Sequence, residues 1–148
     1  MPRLNNPADR AAIVSRLDRL SPDAKALWGK FNAPRMLAHI ADAFRMALGD
    51  LPVKPKNMPL LRTYPIKMLV LYVLPFPKSA PTAPEIVSRA PEAFETERAD
   101  VKALIARLNA IDAGAAYPEH PVFGKLSQAE WSTLGYKHLD HHLRQFGA

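Results

Sequence analysis

The chain has no cysteine. That excludes disulfides, thiolate zinc sites and cysteine nucleophiles, and it suits a reducing cytoplasm. Glycine is scarce, at 6 of 148 residues, and no phosphate-cradling glycine loop is formed from it. There is no serine nucleophile elbow and no paired-carboxylate motif. No apolar run approaches the ~20 residues of a membrane helix. The longest, Ile66 to Phe76, contains Lys67 and Pro75 and reads as a buried helix with a proline stop. Met1 to Pro7 lacks the apolar core of a signal peptide, so no leader is expected. Repeats and period-two strand patterns of useful length are missing too.

What remains is a globular composition, 48% apolar and 23% charged, read as a single domain over residues 1–148 with one substantial core. The net charge of +6 raises nucleic-acid binding. Its 20 basic residues, however, are scattered singly among 14 acids, without a basic run or an aromatic-studded basic strand. Ordinary solvated faces are the better account.

Proline is plentiful and marks the connections. Asn6-Pro7 and Asn32-Ala33-Pro34 are helix starts, a capping side chain followed by proline in the first turn. The first helix carries Ile13, Leu17 and Leu20 on one stripe. The second runs to about Leu48 and stops at Gly49. Asp50 to Pro65 and Pro75 to Pro84 each hold four prolines (52, 55, 59, 65 and 75, 77, 81, 84), a density that blocks helix and central strand alike. They read as a stiff crossover around the Ile66 to Leu74 helix, and the connector between Asp50 and Pro84 as covering one end of a site. Pro91 to Ile111 is a further helix with Phe94, Val101, Leu104, Ile105 and Leu108 inward, ended by Gly114. Ser127-Gln128-Ala129-Glu130 is a capping box opening a last helix to about Gln145. The expected class is all-α: four main helices, one or two short ones and a long crossover.

The last helix carries three of the five histidines, His138, His141 and His142. At about 100° per residue, Glu130, Thr133, Lys137, Asp140 and Arg144 form a polar arc. Trp131, His138 and His142 occupy the middle of the opposite arc, Gln145 lies close by, and His141 is at the edge. Two imidazoles four residues apart on an inward face need partners. A hydrogen-bonded structural pair and a shared divalent ion both satisfy them. His39 lies at the margin of the apolar arc of the second helix, with Asp42 one turn on. Asp42 and Gln145 are candidates for orienting ligands, or else partly exposed helix residues. Trp131 is a pocket candidate or core, and Tyr136 a further pocket candidate. His120 is read as a loop residue.

The pairing of Met36-x-x-His39 with His138-x-x-x-His142-x-x-Gln145 resembles the DinB-like superfamily. The closing stretch from His120-Pro121 through Trp131 to His138-x-x-His141-His142-x-x-Gln145-Phe146-Gly147 is similar to one bacterial subfamily of unknown function. The resemblance implies an up-down-down-up four-helix bundle with a long Pro-rich crossover. It also implies a metal held by His39, His138 and His142, His141 matching no ligand position. Related members include metal-dependent thiol transferases and thiol-dependent isomerases.

Three neutral imidazoles leave an ion open coordination positions, as in catalytic zinc sites. Such ligands suit zinc, nickel, iron or copper, with zinc or nickel expected first and iron as a further option. The expectation is therefore a cytoplasmic metal-dependent hydrolase or thiol transferase acting on a small molecule, its thiol supplied from outside. The alternative is a non-catalytic helical domain whose histidines form a structural polar network. Neither a membrane nor a nucleic-acid partner is expected. The apolar Ile66 to Phe76 segment suggests a homodimer.

Overall fold

A computed structural model describes residues 1–78, 82–112 and 114–148. Within them the chain is all-helical: five α-helices, two single 3₁₀ turns and no strand. Pro81 and the middle of the second proline-rich connector lie outside the described residues.

Helix α1 spans Pro7–Arg19 and starts where Asn6 Oδ1 accepts the Asp9 N–H at 3.0 Å. Helix α2, Ala33–Leu48, starts in the same way on Asn32, which accepts from Arg35 at 2.9 Å. It stops at Gly49, whose left-handed φ of 83° turns its N–H back onto the carbonyls of Arg45 and Met46. Helix α3 is Ile66–Tyr72, α4 is Phe94–Ala110 and α5 is Gln128–Gln145. The Ser127–Glu130 capping box is complete. The 3₁₀ turns are Pro59–Arg62 and Pro84–Ile86.

Helix α4 begins three residues later than its sequence pattern predicts, and ends at Ala110, before Gly114. Ahead of it the chain is extended, and the Glu92 N–H donates to Glu97 Oε1 at 2.8 Å. A side chain from the first turn thus takes up an N–H that has no helical partner and holds the extended approach in place.

Ile13 and Leu17 of α1, Met36, Leu37 and Ile40 of α2, Val101, Leu104 and Ile105 of α4, and Leu139 and Leu143 of α5 share one buried cluster. Each such side chain contributes roughly 1.5–3 kcal/mol by leaving water. Its most extensive interface is α2 on α4. A second cluster lies beside it, where Ala43 and Ala47 of α2 meet Leu71, Ile86, Phe123 and Trp131. Small residues on that side of α2 leave room above it, and the connectors fill only part of that room.

Two expectations need correction. The Ile66–Tyr72 helix is not buried: of its residues only Leu71 is, while Leu69 is 44% exposed and Val73, just beyond it, 68%. One short helix lying on α5 covers a single face. Conversely, the polar arc of α5 is not all solvated. Thr133 and Lys137 are buried, because α3 lies over them. Lys137 Nζ donates to the carbonyls of Val70 and Leu71, capping the C-terminal end of α3, where carbonyls lack helical partners. Periodicity along α5 cannot show which face a later-docking helix will cover. No helix among the described residues is long and apolar enough to cross a membrane.

Candidate metal centre

His39 comes from α2, and His138 and His142 from successive turns of α5. Their ring centroids form a near-equilateral triangle, with sides of 4.9, 4.9 and 5.0 Å. One ligand-capable nitrogen from each lies within 4.8 Å of the other two. The sequence separates His39 from His138 by 99 residues, and the packed helices bring their Nε2 atoms to 3.0 Å.

Outer hydrogen bonds set the ring orientations. His39 Nδ1 lies 2.9 Å from the Ile86 carbonyl. A carbonyl only accepts, so Nδ1 carries the proton and Nε2 turns a lone pair inward. His142 Nδ1 lies 2.8 Å from Gln145 Oε1, and Gln145 Nε2 donates to the Trp28 carbonyl at 2.7 Å. The amide's donor is therefore engaged elsewhere, and its oxygen accepts from His142. Gly29 makes room for this: its φ is 80°, and a Cβ there would stand 2.6 Å from Gln145 Nε2.

Burial keeps all three rings neutral. It pushes His39 below its ordinary value, against the opposing pull of the Ile86 carbonyl and Asp42. Burial, then the neighbouring imidazoles, pushes His138 well below its ordinary range. His142 is lowered to about 3, by burial first and His39 second. Neutral imidazole is the form that binds a metal.

Asp42 is buried, but its carboxylate bonds to Arg45 at 2.7 Å and to Arg89 at 3.1 and 3.3 Å rather than to an imidazole. Arg89 in turn grips Glu97 at 2.6 and 2.9 Å. Arg35 donates to the Val87 carbonyl at 2.8 Å. Together these bonds fix the Ile86–Arg89 segment to α2 and α4, and with it the carbonyl that orients His39. The sequence offered no sign of Arg89 or Ile86 in this capacity, since both sit between the second proline-rich connector and the next helix, in a stretch without periodicity.

A family model described as a protein of unknown function, DUF1569, matches residues 4–148. The chain belongs to the DUF1569 family. No curated protein and no solved structure matches it. The family's description carries no activity, so the function of this DUF1569 protein has to be argued from its site.

The three histidines open onto a cavity of about 510 Å³, within the range of small-molecule sites. Trp131 is 6% exposed, belongs to the second core cluster and also lines this cavity. His141 lies at the cavity wall, half-buried, its ring centroid 6.0 Å from that of Trp28 and 5.9 Å from that of Phe76. Tyr136 packs instead against the first core cluster. Phe76, Pro77 and Lys78 on one side of the undescribed connector residues, and Thr82, Ala83 and Ile86 on the other, wall the cavity.

His120 is more than a loop residue. It lines the same cavity, its ring centroid 5.3 Å from Trp131 and 4.9 Å from Phe123. The available signal was weak: a histidine between Pro118 and Pro121, at the head of the stretch that ends in the histidine cluster.

Proposed function

We propose that this DUF1569 protein holds a divalent metal on His39, His138 and His142, and is a metal-dependent hydrolase or thiol transferase acting on a small molecule. The observation that carries this is the convergence of three neutral imidazoles whose outer nitrogens are occupied at His39 and His142. Zinc–nitrogen bonds of 2.0–2.1 Å put tetrahedral ligand atoms about 3.3 Å apart, close to the 3.0 Å between His39 and His138 Nε2. An all-nitrogen donor set favours zinc or nickel, and accepts iron. When bound, such an ion supplies a charge that acidifies a water or a thiol. With no cysteine in the chain, a thiol would come from a low-molecular-weight cosubstrate.

The same reading takes the chain as one DinB-like domain. In it α1, α2, α4 and α5 form an up-down-down-up bundle and the proline-rich connectors form the crossover. Its cysteine-free composition suits the cytoplasm. The exposed apolar side of α3 supports a homodimer, which sedimentation would test.

A second reading draws on the 3.0 Å His39–His138 contact. If His138 donates from Nε2, the histidines close on themselves as a buried polar network in a non-catalytic domain. Elemental analysis of protein purified without a histidine tag or nickel column separates the two. The metal reading expects near one equivalent of zinc, nickel or iron. Metal-free protein that also refuses added zinc and nickel would leave the network reading.

A further inference from the structure

The cavity wall carries a further histidine, His120, in a tightly held loop. The His120 loop is closed by paired backbone bonds between His120 and Gly124, at 2.8 and 2.9 Å. It is held from outside by Arg62 Nη2, 3.0 Å from the Pro121 carbonyl, and by the Lys56 N–H, 2.9 Å from the same oxygen. Inside it, His120 Nδ1 accepts the backbone N–H groups of Val122 at 3.1 Å and Phe123 at 3.2 Å. Two donors aimed at Nδ1 leave no place for a proton there. The ring is therefore locked as the Nε2–H tautomer, a neutral donor. Among the described residues Nε2 has no acceptor.

The rest of the lining has one sign of charge. Lys30, Lys56 and Lys78 border the cavity, and no carboxylate among the described residues lines it. Its walls are otherwise largely apolar, with Phe31, Phe76 and Phe123 among them. Trp131, against which His120 packs, lies two helical turns before His138 on α5, about 10 Å of rise. His120 and the histidine triangle line the same cavity, so one small ligand can touch both.

We propose that the cavity takes a small, largely apolar organic anion, and that His120 holds one of its acceptor oxygens through Nε2–H. A fixed donor in a largely dry pocket recognises an acceptor without reorganising. The lysines at the border favour a negative charge over a positive one. The proposal rests on the small-molecule reading of this cavity and not on the metal.

The test is a calorimetric titration with three probes of one shape: phenylbutyrate, phenylbutanol and phenylbutylamine. Chelator-treated and zinc-loaded full-length protein are both used. The carboxylate is expected to bind one per chain in both forms, about tenfold or more tighter than the amine. His120→Asn keeps an oxygen where Nδ1 stood, so the loop bonds persist, but it removes the distal donor. It should weaken phenylbutyrate about tenfold, with circular dichroism and zinc content unchanged. His120→Gln restores a donor at the distal position and should recover part of the affinity. No saturable binding of the carboxylate would overturn the proposal, as would preference for the amine. Binding only in the zinc-loaded form, or unchanged affinity in His120→Asn, would remove His120 from the role while leaving the metal reading intact.

Discussion

Gln145 Oε1 sits 2.8 Å from His142 Nδ1 while the same amide donates 2.7 Å to the Trp28 carbonyl. One buried side chain thereby fixes both the tautomer and the direction of an imidazole, and ties the loop before α2 to the end of α5. Outer partners of this kind typically contribute 10–100-fold to metal affinity. Gln145→Ala should weaken zinc binding by about that factor while one-to-one stoichiometry remains. Competition with a chromophoric chelator measures it. Unchanged affinity would mean that His142 is oriented by packing alone.

Arg89 should matter more for stability than its loop position suggests. It neutralises Glu97, which is 2% exposed, and Asp42, which is 4% exposed. Removing one partner of a buried ion pair costs about 3–5 kcal/mol, and the third of the Arg89 side chain left in solvent favours the low end. Arg89→Ala is expected to lose about 3 kcal/mol in urea unfolding, and also to weaken zinc binding through the released Ile86 segment. A loss below 1 kcal/mol would contradict this placement.

Stability of metal-free protein should fall in mild acid. The sign follows from the histidines: His120 is lowered to about 4, by burial first and Arg62 second, and His142 to about 3. The unfolded chain therefore binds more protons than the folded one between about pH 6.5 and those values. Stability is fully present above pH 6.5 and is lost as pH falls towards 4 and then 3, at about 1.4 kcal/mol per group per pH unit. Urea midpoints at pH 7.5, 6 and 5 should descend in that order. A flat series would show that these rings are solvated or already charged.

Lys137 caps α3 from the neighbouring helix. Its replacement by alanine should cost about 1–3 kcal/mol and speed amide exchange across residues 66–74 more than in α2 or α4. Uniform exchange across the chain would mean that α3 docks without it.

The helices were legible because their ends are written in local chemistry. Asn6, Asn32, Gly49 and the Ser127–Glu130 box act within four residues of themselves, and each acts as its pattern implies. The inward face of α5 was legible for the same reason. What escaped the sequence depends on contacts between distant segments. Thr133 and Lys137 look solvated until α3 lies on them. Ile86 and Arg89 carry no pattern and matter only for where they dock. His120 reads as a loop residue because its Nδ1 partners are backbone groups, which no side-chain motif records. The separation of His39 from His138 is likewise a product of packing. The sequence shows that both can turn inward, and the cluster of α2 and α5 side chains brings them together.

The most direct test is the anomalous scattering of a crystal soaked in zinc, recorded on both sides of the zinc edge. The metal reading predicts one strong peak within bonding distance of Nε2 of His39, His138 and His142, lost in His138→Ala. A peak elsewhere, or no peak while the His39 and His138 nitrogens stay hydrogen-bonded to each other, would contradict it.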